Sequence, residues 1–149
     1  MDETRDFDLR LFLPFLLNQA SEESSLSFQR YYKERYGMLR TEWRVLFHLG
    51  IYGQLTARDI GLKARIHKTK ISRAVQKLAE RRFLERTRNE ADRRQEFLTL
   101  TAKGQSVYEE LKSIARAYDA SLLAAFSDEE TDLLRRLLLR LAKVDLEVD

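Results

Sequence analysis

Residues 68–101, KTKISRAVQKLAERRFLERTRNEADRRQEFLTLT, carry the pattern that decides the fold of this 149-residue chain. The first part predicts one amphipathic helix from Lys68 to Arg82, because its apolar residues recur at helical spacing. These apolar residues are Ile71, Ala74, Val75 and Leu78. Residues 83–88 and 94–101 then alternate between apolar and polar side chains, which predicts two short strands around a polar turn. We therefore expect a basic helix followed by a β-hairpin.

A second, shorter helix is expected just before the basic helix. Thr56 is a suitable N-cap, and Asp59 occupies the capping-box position three residues later, so this helix should end by about Arg65. Short helix, turn, basic helix and hairpin follow one another as in a winged helix-turn-helix. The major groove of B-DNA, about 12 Å wide, admits one helix, and an Arg-tipped hairpin beside it can reach the minor groove. The sequence predicts such a DNA-binding lobe over about residues 41–101.

Charge is distributed unevenly along the chain. The whole sequence has 27 Lys and Arg residues against 24 Asp and Glu residues, a net charge of +3. The segment from Lys63 to Arg94 has 12 basic and 4 acidic residues, so it carries +8 and the rest of the chain carries −5. Such segregation is typical of nucleic-acid binding. On charge alone, a solvated surface without a nucleic-acid partner remains an alternative.

Helices are also expected before this lobe. Residues 9–36 predict one or two helices, which the polar stretch from Ser21 to Ser25 would interrupt or bend. Thr41 is a suitable N-cap for a further helix that Gly53 should end. The N-terminal part of the chain is thus expected to be helical up to the DNA-binding lobe.

Two more helices are expected after the hairpin. Thr101 should cap a long helix that runs to about Phe126, and Ser127 with Glu130 forms a capping box before a leucine-rich last helix. A chain of 149 residues is the size of one domain, which we assign to residues 1–149. The expected fold class is therefore mainly α with a small β-hairpin wing (α+β).

Several classes of function are disfavoured by what the sequence lacks. Without cysteine there is no disulfide, thiolate nucleophile or thiol redox sensor, and the two histidines lie far apart in sequence. No Gly-rich phosphate loop and no metal-ligand spacing is present, so we expect no enzyme, metal or cofactor. The acidic N-terminus does not resemble a signal peptide, and no apolar run approaches the ~20 residues of a membrane span. We expect a soluble, cytoplasmic protein without a membrane partner.

Two strings of the sequence carry a family resemblance. Residues 92–104, DRRQEFLTLTAKG, look like a DRR…LTxxG signature, and residues 72–78, SRAVQKL, with Glu85 and Arg86 look like a recognition helix and the strand that follows it. Together they resemble the MarR family of bacterial transcriptional regulators over residues 41–104. One position departs from the family, which usually has Gly where Arg82 stands. If Arg82 is left-handed, it carries a modest strain cost.

The resemblance implies a homodimer that uses helices at about residues 9–36 and 102–147 for dimerisation. The sequence supports this implication independently, because the leucine stripe of residues 133–141 is too wide for a lone surface helix. An alternative is that Leu134 and Leu138 cover the first helix of their own chain. A two-fold dimer predicts a palindromic operator on double-stranded DNA, with half-sites about 34 to 36 Å apart.

The candidate DNA-binding residues lie on the basic helix and the wing. On chemical grounds Arg73 suits guanine, Gln76 suits adenine, and the helix hydroxyls and lysines suit base edges or phosphates. In the family, the position of Arg94 inserts an arginine into the minor groove, and we expect Asp92 to orient it by an ion pair. The alternative for each residue is a solvated surface position. The full set is His67, Lys68, Thr69, Lys70, Ser72, Arg73, Gln76, Lys77, Arg88, Asp92, Arg93 and Arg94.

The resemblance also implies a possible effector, since many relatives are released from DNA by a small aromatic or phenolic ligand. Candidate residues for such a pocket are Trp43, Phe47, His48 and Tyr118, with ordinary core aromatic residues as the alternative. The expected function is a sequence-specific transcriptional regulator that acts as a repressor. A ligand-independent architectural or accessory DNA-binding protein is the alternative, and it would bind DNA with little preference for sequence.

Overall fold

The computed structural model describes residues 6–144 as a mainly helical protein with one small sheet. A 3₁₀ helix at Leu9–Leu11 precedes six α-helices and three strands: α1 (Leu13–Tyr36), α2 (Arg40–Tyr52), β1 (Leu55–Thr56), α3 (Ala57–Ala64), α4 (Lys68–Glu80), β2 (Leu84–Arg88), β3 (Glu96–Leu100), α5 (Ala102–Leu123) and α6 (Asp128–Ala142). The described residues divide between Ile114 and Ala115 into two compact units. The predicted fold class is confirmed.

The helix-turn-helix forms as the sequence predicts. The Thr56 hydroxyl accepts from the backbone N–H of Asp59 at 3.1 Å, and the Asp59 carboxylate accepts from the backbone N–H of Thr56 at 3.2 Å. This capping box begins α3, which ends at Arg65 in the left-handed conformation. Helix α4 buries Ile71 and Leu78 in the core of the first unit. The two helices of the motif are therefore fixed by a local cap and by an apolar stripe.

Helix α2 begins two residues earlier than expected. Arg40 is its first residue and Leu39 its N-cap, so the prediction that Thr41 caps the helix is wrong. The carboxylate of Glu42 accepts from the backbone N–H of Leu39 at 2.7 Å and thereby satisfies this end of the helix. Gly53 ends the helix as predicted.

The turn after α4 contains the residue that departs from the family pattern. Helix α4 ends at Glu80 rather than Arg82, and Arg82 has φ 62°, which is left-handed. Its carbonyl oxygen accepts from the Thr101 hydroxyl at 2.6 Å, so the strained residue is held in place. A left-handed non-glycine residue costs roughly 1 to 2 kcal/mol. This backbone strain is located at the turn between α4 and the wing.

The sheet has three strands, whereas the sequence predicts only a two-stranded hairpin. The missed strand is β1, whose Leu55 pairs with Leu98 and whose Thr56 pairs with Phe97 of β3. The sheet order is therefore β1-β3-β2, with all neighbours antiparallel. A two-residue strand has no periodicity of its own, so only its partner reveals it. Strand β1 attaches the base of the wing to the start of α3.

Helix α1 is continuous across the serine-rich stretch, so the expected interruption is wrong. The Ser25 hydroxyl donates to the carbonyl oxygen of Ser21 at 2.7 Å, and that of Ser24 donates to the same oxygen at 3.3 Å. Serine hydroxyl groups that bond back to the preceding turn are compatible with a helix. The helix runs without interruption from Leu13 to Tyr36 and ends at left-handed Gly37.

The end of α1 contacts both α5 and the end of α4. On α5, Glu110 accepts from Tyr31 Oη at 2.8 Å, from Arg35 Nε at 2.5 Å and from the Tyr36 hydroxyl. Arg81, the C-cap of α4, donates from Nη1 to the carbonyl oxygen of Tyr36 at 2.6 Å. A guanidinium at the C-terminus of a helix is favourable because it faces the negative end of the helix dipole. These contacts join α1 to α5 and the end of α4 to the end of α1.

The Glu110 cluster should make stability sensitive to acid. Its three donors lower the pKa of Glu110 to about 2, with the Tyr36 hydroxyl contributing most. We expect Glu110→Gln to reduce the free energy of unfolding by about 1 kcal/mol at neutral pH, since the carboxylate is partly exposed. The folded pKa lies below the unfolded value, so this stabilisation is present above pH ~4.5 and is lost as the pH falls toward 2. Urea unfolding of the wild type and of Glu110→Gln at a series of pH values measures this difference in the free energy of unfolding.

Glu109 provides the control for this prediction because it is exposed and adjacent on α5, and its carboxylate accepts from Gln105 of the same helix at 3.0 Å. Glu109→Gln should change the free energy of unfolding by no more than about 0.5 kcal/mol. A difference between wild type and Glu110→Gln that stays constant as the pH is lowered would contradict the assignment.

The second unit begins within α5 and contains α6, whose apolar side is exposed. The Ser127 hydroxyl and the Glu130 carboxylate form the predicted capping box. From residue 128 to residue 144, the large apolar side chains that are exposed are Leu133, Leu134, Leu137, Leu138, Leu141 and Val144. Helix α5 ends at Leu123 rather than near Phe126, and residues 145–147 of the expected dimerisation segment lie outside the described residues. Within residues 6–144, no helix is long and apolar enough to span a membrane.

Candidate nucleic-acid interface

Helix α4 presents three different faces. Ile71, Ala74, Val75 and Leu78 form the buried face. Lys68, Ser72 and Gln76 follow one another at four-residue spacing and face the hairpin. Thr69, Lys70, Arg73 and Lys77 are exposed and do not line the space between helix and hairpin. The helix therefore offers polar side chains both toward the wing and outward.

A groove lies between α4, the start of α3 and the hairpin. Its charged lining comprises five cationic side chains and one carboxylate: Arg58, Lys68, Arg86, Arg93, Arg94 and Glu96. In the described part of the chain, Arg86 is the only one of these cations that forms an ion pair. The uncompensated positive charge of this groove can attract a polyanion such as DNA.

The structure brings only part of the predicted DNA-binding set together in this groove. Lys68, Ser72, Gln76, Arg93 and Arg94 line it. The other predicted residues are exposed but lie outside the lining: His67, Thr69, Lys70, Arg73, Lys77, Arg88 and Asp92.

His67 and Gln76 each have a contact that defines their local role. The His67 ring is the N-cap of α4, because its Nδ1 accepts from the backbone N–H of Thr69 at 3.3 Å. Gln76 Nε2 donates to Glu80 Oε1 at 3.2 Å, one turn further along α4. This contact leaves the Gln76 side-chain oxygen available to accept a hydrogen bond.

The wing tip is shaped by two short side chains. Asn89 Oδ1 accepts from the backbone N–H of Ala91 at 2.9 Å, and Asp92 Oδ1 accepts from the backbone N–H of Arg94 at 3.1 Å. No ion pair joins the side chains of Asp92 and Arg94 in the described residues, so that part of the prediction is wrong. The two-residue spacing places the carboxylate over the backbone instead, as in an Asx turn. Asp92 thus positions the backbone of Arg94, whose guanidinium forms no ion pair within residues 6–144.

Five polar groove residues were missed as DNA-binding candidates at the level of sequence: Thr56, Arg58, Arg86, Gln95 and Glu96. Arg86 could have been found, because the strand period of two places it on the same face as Arg88. Arg58 gave no such signal, since a short helix does not show which side will face a distant hairpin.

The middle of the chain matches the model of the MarR family over residues 36–95. The chain is also 32% identical over 98 residues to the HTH-type transcriptional regulator BilQ of Clostridium symbiosum, a match that covers 66% of this chain and 68% of BilQ. The chain belongs to the MarR family. It is a DNA-binding transcription regulator of the winged-helix type, as the resemblance of its wing and basic helix predicted.

Solved structures agree with this assignment over most of the chain. A MarR/EmrR family transcriptional regulator from Acinetobacter sp. ADP1 is 26% identical, with a TM-score of 0.81, and the match covers 92% of this chain and 96% of that one. BpsR of Bordetella bronchiseptica, whose DNA binding is regulated by 6-hydroxynicotinic acid, has the same fold at 20% identity and a TM-score of 0.82. That match covers 95% of this chain and all of BpsR. These relatives are transcription regulators rather than enzymes.

The candidate effector residues of this MarR-family protein are in different environments. The Trp43 ring contacts Phe47 edge to face at 5.1 Å, and Phe47 contacts Tyr108 at 5.2 Å. His48 Nδ1 donates to the carbonyl oxygen of Arg44 at 2.6 Å, and its ring stacks on Tyr52. Tyr118 belongs to the second unit. Trp43 and Phe47 thus form part of a continuous aromatic row, and the ligand-binding role of all four residues stays a prediction.

Proposed function

We propose that this MarR-family protein is a homodimeric repressor that binds a palindromic operator in double-stranded DNA. The observation that carries the proposal is the groove between α4 and the wing, where four of the five cationic side chains have no ion-pair partner in the described residues. The helix side of the groove supplies the hydroxyl of Ser72 and the amide of Gln76. Cations supply affinity for phosphate, whereas hydroxyl and amide groups can read base edges.

The dimer is proposed because of the apolar surface that α6 leaves in water. Five of its six leucines at residues 133–141 are each 40–49% exposed. The first unit separately exposes the apolar side chains of Leu11, Phe12 and Leu13. Exposed apolar surfaces such as that of α6 mark protein interfaces. We infer that residues 9–36 and 102–147 form the dimerisation helices and residues 41–101 the DNA-binding lobe of one domain.

Release by a small aromatic or phenolic ligand is the second part of the proposal. Trp43, Phe47 and Tyr108 form a row of contacting rings, in which Trp43 and Phe47 are only half-buried. BpsR responds to a hydroxylated aromatic acid and shares the fold. A ligand would release DNA only if it bound more tightly to a conformation that does not fit the operator.

Selection of bound sites from random double-stranded DNA tests the proposal. We expect a palindrome whose half-site centres lie roughly one helical turn apart, bound at least about 10³-fold more tightly than shuffled DNA. Sedimentation of the free protein should give twice the chain mass of 17.6 kDa. Addition of 6-hydroxynicotinic acid and related aromatic acids to the selected complex tests release, and Trp43 fluorescence reports binding because it is the only tryptophan.

Two other outcomes of the selection would contradict this proposal. Recovery of sites without a palindrome would contradict the dimeric repressor. Binding that depends on salt but hardly on sequence would instead identify an architectural DNA-binding protein.

A further inference from the structure

The single carboxylate of the groove lies on the same face of the hairpin as two arginines. In the β2–β3 register, Arg88 is directly opposite Glu96, and Arg86 is opposite Leu98 two residues further along. Because side chains alternate between the two faces of a sheet, Arg86, Arg88, Glu96 and Leu98 share one face. That face lines the groove through Arg86, Glu96 and Leu98.

Glu96 forms an ion pair with Arg86 across the hairpin. Glu96 Oε2 is 3.8 Å from Arg86 Nε, and Leu98 opposite Arg86 is almost fully buried. The Arg86 side chain is 39% exposed and that of Glu96 is 53% exposed. An exposed ion pair of this kind contributes little to stability. Its consequence is instead geometric, because it biases the guanidinium of Arg86 toward Glu96 and the groove.

We propose that Arg86 determines DNA sequence preference and that Glu96 is its positioning residue. This proposal rests on the proposed DNA-binding function of the groove. A free arginine at the rim of a DNA site turns to the nearest phosphate, which adds affinity for any sequence. Arg86 held by Glu96 keeps its guanidinium in the groove, where it can donate to a base edge. Repulsion between Glu96 and phosphates further disfavours DNA that offers only its backbone.

Two substitutions separate this role from a general effect of charge. Glu96→Gln removes the carboxylate from the groove, and Glu85→Gln removes one from the same hairpin on the opposite face. Glu85 pairs with Thr99, is exposed, and is not part of the groove lining. Both variants gain the same net charge, so a general effect on DNA affinity should appear in both.

The experiment measures dissociation constants for the selected palindrome and for a shuffled duplex of the same length. We expect Glu96→Gln to bind the shuffled duplex more tightly without an equal gain on the palindrome, so that selectivity falls at least fivefold. Its affinity for shuffled DNA should also depend more steeply on salt, because Arg86 becomes free to contact a phosphate. Glu85→Gln should retain the selectivity of the wild type.

A double-mutant cycle with Arg86→Ala shows whether Glu96 acts through Arg86. Arg86→Ala alone should lose at least fivefold selectivity, and Glu96→Gln should then cause no further loss. The proposal is overturned if Glu96→Gln behaves like Glu85→Gln, or if its effect persists in the Arg86→Ala background. Failure of the wild type to distinguish the two duplexes would instead refute the proposed function. Circular dichroism and thermal unfolding of each variant verify that it folds.

Discussion

Replacing Gly104 with alanine should lower the free energy of unfolding by about 3 kcal/mol, the upper part of the range for overpacked interiors. Gly104 lies in the first turn of α5 and is buried against Phe83, the residue before β2. A Cβ atom at this position would lie 1.9 Å from the carbonyl oxygen of Phe83 and 2.8 Å from its carbonyl carbon. Both are backbone atoms, and the same oxygen accepts from the backbone N–H of Thr101 at 3.1 Å. The clash therefore cannot be relieved by a side-chain rotation.

Local preference alone would give the opposite result. Alanine is favoured over glycine inside a helix by about 1 kcal/mol, so Gly104→Ala would be stabilising in an isolated α5. Gly61→Ala, within α3, is the matched control because its Cβ would lie 3.3 Å from the Ile66 carbonyl oxygen and 3.9 Å from Cγ1 of Ile71, without a clash like that at Gly104. It should change the free energy of unfolding by no more than about 1 kcal/mol. Urea unfolding measures the free energy of unfolding of both variants. Equal values for Gly104→Ala and Gly61→Ala would show that α5 does not pack on Phe83 as described.

Replacing Arg94 or Arg73 with alanine should weaken binding to the selected palindrome by roughly 5- to 150-fold each, the effect of losing one good base contact. Arg94 lines the groove at the wing tip, with its backbone fixed by Asp92 and its guanidinium free of ion pairs in the described residues. Arg73 is exposed on the outward face of α4 and also forms no ion pair there. Neither side chain supports the fold, so both losses should be losses of DNA contact.

Fluorescence anisotropy with the selected duplex at physiological salt measures these effects. Arg30→Ala serves as the control, because Arg30 is an exposed cation on α1 outside the groove, and sedimentation verifies that this variant has the same mass as the wild type. It removes the same charge and should change the dissociation constant by less than about threefold. If Arg94→Ala and Arg73→Ala both bind like the wild type, the groove and the outward face of α4 are not the DNA-binding surface.

The elements around the groove could be predicted because each has a local cause. Thr56 and Asp59 form a cap within four residues, and α4 repeats its apolar side chains along one stripe. Apolar and polar side chains alternate on both sides of a polar turn, and this pattern predicts the hairpin. By contrast, Ser21 to Ser25 misled the prediction, because composition alone does not show that serine hydroxyl groups bond back to their own helix.

Residues of the groove were harder to predict than its elements. The sequence identifies Lys68, Ser72 and Gln76 as polar positions of α4 but does not separate them from Arg73 and Lys77. That separation depends on where the hairpin packs, and β1 attaches the base of the hairpin to α3. For the same reason Arg58 and Glu96 became groove residues only in the folded protein.

By itself, the sequence determined the order of the helices and of the two hairpin strands, the segregation of +8 into residues 63–94 and the membership of the MarR family. These properties depend on neighbours within a few residues, through caps, periodicity and composition. Only the tertiary structure decided that Gly104 must be glycine, that Glu110 gathers three donors from α1, and that Glu96 faces Arg86. Each of these depends on atoms from segments distant in sequence, and their separation is set when helices and strands pack together.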